Sequence, residues 1–318
     1  MRIPGVLQRF GASYFVVATL HTTSLYLYKG ELIGPCKCHH YFRKKNILFT
    51  FAISVRFHQL IDIIPYYIEW IAMFILTLIY FTLTFLWKYD TFCPAGYVGP
   101  GGLHNNASYS NCTGGAANYI DQWILSRNHL YESFTAGHIY DPKDTYHLIH
   151  DPEGILGTTN SILLTFIGLQ IGKILIAYPN PMQRIKRWLI WCLILLALTF
   201  LALPPPINFI GYVPINKNLW SFTFITLTGS AAILMLMILY YLIDIIKIWP
   251  DGQPFHYPGM NSILLYIGHD LTSGMFPFQI NFEQNSSHIQ PLISNLIGVS
   301  LWLIISIVLA KKQIFVTL

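Results

Sequence analysis

Charge is what this chain has least of. Asp, Glu, Lys and Arg make up 10% of its 318 residues, against roughly 25% in a soluble domain. Apolar residues make up 54% and aromatic residues 15%, a balance that defines a membrane protein. Also missing are a phosphate-cradling glycine loop, a zinc signature and a nucleophile elbow, so no nucleotide, metal or serine-hydrolase chemistry is announced. No basic face interleaved with stacking aromatics is present. The net charge of +5 therefore points to no nucleic-acid partner. Met1 to Arg9 has no small-residue cleavage site behind a short apolar core, and no signal peptide is expected.

Cysteine is scarce too, with five residues at 36, 38, 93, 112 and 192. Only Cys93 and Cys112 share a long polar stretch between apolar segments, where an oxidising compartment would let them pair. Cys36 and Cys38 stand beside His39 and His40, but one intervening residue is a poor zinc spacing and no second ligand pair follows. No metal is expected.

What is present is a series of apolar runs near the roughly 20 residues needed to cross a bilayer. The fold class expected is all-α, a polytopic transmembrane helix bundle of about seven spans with one long loop. The spans read as 5–27, 67–88, 156–177, 188–207, 219–243, 260–277 and 293–310. Lys29, Lys37, Arg43, Lys44, Lys45 and Arg56 follow span one; Arg184, Lys186 and Arg187 follow span three; Lys311 and Lys312 follow span seven. These loops alternate so as to share one face, cytosolic by the positive-inside rule, which places the carboxyl terminus in the cytosol. Residues 47–66 are apolar with Arg56, His58 and Asp62 interspersed and read as an interfacial helix. The three N-glycosylation acceptors, Asn106, Asn111 and Asn285, all fall on the opposite face. The loop 89–155 carries Gly99-Pro-Gly-Gly102 and Gly114-Gly115 as turn signals and six well-spread aromatics, and it reads as an ordered cap.

Span three holds more polar residues than an anchor needs: Asn160, Ser161, Thr165, Gln170 and Lys173. Ser161, Thr165, Gly168 and Gly172 form a stripe of small residues, and Gly168-x-x-x-Gly172 is a close-packing motif of membrane helices. Lys173 either reaches for the cytosolic interface or faces a partner, because an unpaired charge at a helix centre costs about 2.5–3.5 kcal/mol. In span six, Asn261, Leu265, His269 and Thr272 read as one face, which gives Asn261 and His269 a cavity role or an internal hydrogen-bonding one. Arg9 suits bidentate recognition of phosphate or carboxylate, or contact with head groups. Asn-Ser-Ile-Leu-Leu occurs at 160–164 and at 261–265, a short trace of an inverted repeat.

Six motifs carry a family likeness: Arg2-Ile-Pro-Gly-Val-Leu-Gln-Arg9, Gly99-Pro-Gly-Gly102, Asn111-Cys-Thr-Gly-Gly-Ala116, Asp151-Pro-Glu-Gly-Ile-Leu-Gly157, Asn216-Lys-Asn-Leu-Trp-Ser221 and Tyr257-Pro-Gly-Met-Asn-Ser-Ile263. In this order they resemble the heparan-alpha-glucosaminide N-acetyltransferase family of lysosomal membranes. The resemblance implies transfer of acetyl from cytosolic acetyl-CoA, the cosubstrate, to the terminal glucosamine amine of heparan sulfate in the lysosomal lumen. It also implies that residues 1–318 form one partial transmembrane acyltransferase domain. A lumenal domain, further spans and the family's catalytic histidine would then lie upstream of Met1, so no catalytic residue is carried over. Beyond the bilayer, a homodimer is the candidate assembly.

Amide formation from a thioester needs a proton acceptor and donors for the developing oxyanion, and coenzyme A brings phosphates. By side and chemistry, Gln8, Arg9, Asn160, Ser161, Asn218, Asn261, Ser262 and His269 are expected to line the acetyl-CoA cavity. Asp151, Glu153 and His288 are expected to meet the amino sugar. A transporter or an inactive paralogue is the alternative, and a purely structural membrane protein is disfavoured by the cost of its polar spans.

Overall fold

The computed structural model describes residues 2–29, 60–131, 134–203, 213–272 and 289–316. Helices and turns make up these residues, with no strand among them. They divide into two compact units, Met1–Met237 and Ile238–Leu318.

The first unit is organised around one helix. We number the main helices α1 (Val6–Lys29), α2 (Tyr67–Phe81), α3 (Gly115–Leu125), α4 (Ile155–Ala177), α5 (Pro181–Ala202) and α6 (Phe222–Tyr240). Helix α4 packs against α1, α2, α3 and α5. It is the polar-loaded span three, and its buried residues include Asn160, Ser161, Phe166, Gln170, Lys173 and Ile174. On α1 the buried positions Arg9, Ser13 and Val17 recur every four residues, so one face of that helix meets α4. Ser13 Oγ donates to Ser161 Oγ at 3.0 Å, and just beyond it Val17, Met73, Ile162 and Phe166 form an apolar cluster. Polar and apolar contacts thus alternate along one seam.

Five described helices are long and apolar enough to cross a membrane: Ile64–Leu86, Ile155–Ala177, Pro181–Ala202, Phe222–Ile245 and Ile289–Lys311. The expected count of seven is not confirmed. Span one is the 24-residue α1, long enough, but Gln8, Arg9, His21 and a run of Ser and Thr make it too polar to be among the five. Span six is shorter than expected. Its helix, α7, runs only from Ser262 to Leu271.

The small-residue stripe on α4 also reads differently. Gly168 and Gly172 are exposed, and an added Cβ at either would meet nothing within 4 Å among the described residues. The packed face of α4 is the neighbouring one, because Gln170 and Lys173 must reach partners and so fix the helix's rotation. Residues 60–66 of the expected interfacial helix form a turn and a 3₁₀ segment, Ile64–Tyr66, and the rest of that stretch lies outside the described residues.

Between α2 and α4, residues 87–154 form the cap. A disulfide joins Cys93 to Cys112, with Cα atoms 5.7 Å apart. Gly114 and Gly115 turn the chain into α3 at φ of +67° and +58°, a left-handed conformation that side chains strain. A Cβ on Gly115 would also collide with the Tyr97 carbonyl. Asn106 and Asn111 are both exposed on the cap, while Asn285 lies outside the described residues.

The second unit contains the end of α6, α7, and α8 (Ile289–Lys311). The short helix His256–Met260 packs on α8. Asn261 follows it with non-helical φ −127° and ψ 32°. It therefore lies outside α7, and the face expected to join it to His269 does not exist. Its buried amide donates to the Ile314 carbonyl at 3.0 Å and accepts from Val316 N–H at 3.0 Å, tying down the carboxyl tail. The repeated pentapeptide thus occupies two unlike settings, mid-helix at 160–164 and a helix start at 261–265.

Candidate functional site

Buried polar groups gather where the cap meets the start of α4. Asp151, Pro152, Glu153 and Gly154 form the turn into that helix, and Gly154 is its extended N-cap residue. Asp151 is 1% exposed. It accepts from Arg2 Nε at 3.0 Å and Nη2 at 2.7 Å, from Tyr131 N–H at 3.0 Å and from Glu153 N–H at 2.9 Å. Arg2 also pairs with Glu153 and lies over the Tyr131 ring. These carboxylates hold the Arg2 proton tightly, Asp151 chiefly by its hydrogen bond, and raise that guanidinium above its ordinary value.

On the first turn of α1, Arg9 is 3% exposed. Its Nη2 donates to the Pro152 carbonyl at 2.8 Å and the Gly154 carbonyl at 3.4 Å, and its guanidinium stacks 4.7 Å from the Trp220 ring. Its Nε and Nη1 are buried with no hydrogen-bond partner among the described residues. That is an unusual condition for a cation, since leaving buried donors unpaired is costly. A Cβ on Gly157 would come within 3.1 Å of Nη2, so glycine makes room for this approach.

Asp121, on the inner face of α3, completes the cluster. Its Oδ1 accepts the Ile155 N–H at 2.8 Å and caps α4, whereas Oδ2 is buried with no partner among the described residues. Burial pushes this carboxyl up to about 7, with the neighbouring Asp151 adding to the rise and Arg9 and the Ile155 N–H opposing it. Gly154 lies hard against Oδ2, where a Cβ would collide. His150 is 5% exposed; its Nε2 donates to the Asn218 carbonyl at 3.3 Å, and burial pushes the imidazole below its ordinary value.

A pH prediction follows from the sign of the Asp121 shift. A carboxyl raised in the folded state stabilises most below its unfolded pKa, and that stability is lost as pH rises through the folded value. Between about pH 5 and pH 7, Asp121 should cost the cap about 2 kcal/mol, while His150, shifted down, acts in the opposite sense as pH falls below about 6.5. Asp121→Asn keeps the acceptor for Ile155 N–H and removes the titration. Thermal unfolding at the two pH values should show the variant gaining on the parent chain as pH rises; parallel profiles would contradict the assignment.

Of the residues expected to line an acetyl-CoA cavity, Arg9, Asn160 and Ser161 come together on the α1–α4 seam. Asn160 Nδ2 donates to the Trp220 carbonyl at 2.6 Å. Asn218 lies beside His150 at the cap. Gln8 is exposed. In the second unit, Ser262 and His269 are exposed and Asn261 is engaged with the tail. Asp151 and Glu153, expected to meet the amino sugar, share one cation, Arg2. His288 and the Cys36–His40 cluster lie outside the described residues, and no His, Cys, Asp or Glu group fit for a metal occurs among the described ones. Reasoning from the sequence missed Asp121 and His150. The available signal for Asp121 was an acid one turn after Ala117, beside the apolar Ile120.

The class defined by these features is an all-helical membrane protein with an ordered cap over a polar, charge-bearing bundle. No family model matches the chain. Over 316 residues, 99% of its length, it is 39% identical to the mouse heparan-alpha-glucosaminide N-acetyltransferase and 40% identical to the human one. The chain is a relative of these acetyltransferases and spans 44% of the length of each.

Proposed function

We propose that this chain forms the membrane-embedded, cap-bearing part of a heparan-alpha-glucosaminide N-acetyltransferase. In this reading acetyl from cytosolic acetyl-CoA passes to the terminal glucosamine amine of heparan sulfate in the lysosomal lumen, and the cap faces the lumen. The observation that carries the reading is Arg9, a buried cation with two donor nitrogens unclaimed among the described residues, on a seam of polar residues running into the bundle. Attack of the amine on a thioester builds negative charge on the carbonyl oxygen and releases the thiolate of coenzyme A, while the amine gives up a proton. Buried donors that need no reorganisation are what stabilise such an oxygen.

In this scheme Arg9 offers Nε and Nη1 to the acetyl oxygen, Trp220 and the Pro152 carbonyl hold the guanidinium in place, and Asn160 and Ser161 wall the seam. Arg2 already pairs with both Asp151 and Glu153, so in this scheme those residues shape the mouth. The proton acceptor for the amine is assigned to no residue of this chain.

The test is transfer of radiolabelled acetyl from acetyl-CoA to glucosamine in nanodiscs, by the chain joined to the part of the mouse relative that it does not match. Labelled N-acetylglucosamine is expected, and Arg9→Ala should reduce its formation about 100-fold or more, as for loss of an oxyanion donor. Complete absence of transfer by the joined protein would favour the transporter or inactive-paralogue reading.

A further inference from the structure

Helix α3 touches three membrane spans with one face and leaves the other open. On the buried face Ile120 packs with Tyr80 and Leu156, and Ala117, Phe81 and Phe222 join the same cluster. Tyr80 and Phe81 lie inside the span Ile64–Leu86, whereas Leu156 and Phe222 stand at the start of Ile155–Ala177 and Phe222–Ile245. Because these contacts are made to residues within the spans, α3 sits at the level where the chain enters and leaves the bilayer. The opposite face presents Tyr119, Gln122, Trp123 and Ile124, all exposed among the described residues, and Trp123 is 76% exposed. Tyr119 and Trp123 stand one turn apart on that face. The face also runs on towards the lipid side of a span. The Tyr119 ring lies 5.7 Å from Trp87 and 5.1 Å from Tyr89, and Trp87 directly follows the exposed Leu86 that ends Ile64–Leu86.

We propose that the partner of this face is a phospholipid surface: α3 rests in the head-group region of the leaflet on the cap's side, with Tyr119, Trp123, Ile124 and Trp87 turned into it. Helix contacts in a membrane are built on small residues that let backbones approach, and none of the exposed positions on α3 carries one. Trp and Tyr are the side chains drawn to the membrane–water boundary, where the ring meets apolar chains and the polar edge meets water. Gln122 and Lys88, next to Trp123 and Trp87 in sequence, are exposed too and suit head-group phosphates. An interfacial helix sinks its apolar face about 5–10 Å into this region, in keeping with contacts that reach Tyr80. The seating bears on the candidate site. Asp121, on the buried face of α3, caps α4 through the Ile155 N–H, so the leaflet fixes the height of the turn that holds Asp151 and Gly154. Nothing in this contact depends on acetyl transfer.

Quenching of tryptophan emission by brominated phosphatidylcholine, on the whole chain in nanodiscs, tests this. Trp123→Phe keeps an aromatic ring at an exposed site, so the emission it removes is the Trp123 signal. That difference signal should fall about twofold or more when the bromines sit at the head-group end of the acyl chains, and less when they sit near the methyl ends, as for a ring about 5–10 Å into the boundary. A difference signal unquenched in both lipids would overturn the proposal, and so would stronger quenching by the deep bromines. The same measurement on the chain joined to the part of the mouse relative that it does not match separates lipid from protein. Quenching that persists there supports the leaflet; quenching that disappears assigns the face to the added part and overturns the proposal.

Discussion

Lys173→Met is expected to destabilise the bundle by about 3–5 kcal/mol, the usual result of removing one partner from a buried ion pair. Lys173 is 6% exposed and Glu69, its partner across the α2–α4 contact, 1%. His21 Nδ1 lies 2.9 Å from the other Glu69 oxygen, and the Lys173 ammonium sits 3.7 Å over the Tyr66 ring. Without the lysine, a carboxylate inside the bundle keeps, among the described residues, only His21 as a side-chain partner. The double change Glu69→Gln with Lys173→Met removes both charges and should recover most of the loss, since a buried pair is often worth no more than a neutral replacement. Thermal unfolding of the detergent-solubilised chain would show it; equal melting of the single and double variants would contradict a paired charge.

That pair also shows which parts of the architecture were readable in advance. The polar load of α4 marked it as a helix that had to satisfy side chains, and it is the element on which α1, α2, α3 and α5 converge. Its partners were not readable. Glu69 and Asp62 lie more than 100 residues before Lys173 and Gln170, and nothing local to either sequence stretch encodes the match. At the far end of α4, Asp62 is fully buried, where it accepts from Gln170 at 2.9 Å, Tyr178 at 3.0 Å and Arg187 at 2.5 Å. Arg187, which in the sequence is only a charge that fixes orientation, also holds the bundle together.

Hydropathy misread span six for a related reason. A window average cannot register that the helix starts only after the non-helical Asn261 and already stops at Leu271, where Thr272 is its non-helical C-cap. The same averaging concealed the candidate site, because Asp121 and His150 acquire their character from burial in the cap rather than from neighbours in sequence. Sequence did locate Arg9 and the Asp151–Gly157 turn, through the motifs that contain them. Only the folded chain shows that the two motifs meet.

The second large effect is expected at that meeting point. Arg9→Ala should speed hydrogen exchange at the amides of Gly154, Ile155 and Thr158 by roughly 100-fold, a local loss of about 3 kcal/mol. These amides are bonded to the Asp151 carbonyl, Asp121 Oδ1 and the Gly154 carbonyl, so they report whether the start of α4 stays closed. Arg9 contributes a charged hydrogen bond to the turn, worth roughly 1.5–3 kcal/mol, and a desolvated stack on Trp220, worth up to about 2 kcal/mol. Its two buried nitrogens without a partner among the described residues offset part of this. Arg9→Lys should not restore protection, because an ammonium on a flexible stem cannot both stack flat on the indole and reach the Pro152 carbonyl. Arg2→Ala should have a smaller effect, since the Arg2 side chain is 34% exposed and Asp151 keeps its bonds to Tyr131 and Glu153 without it. If the lysine variant protected these amides as well as the arginine does, charge alone would hold the turn; if it fails, the planar fork is what joins α1 to the mouth of α4, and the donors left over on that fork are fixed in direction before any ligand arrives.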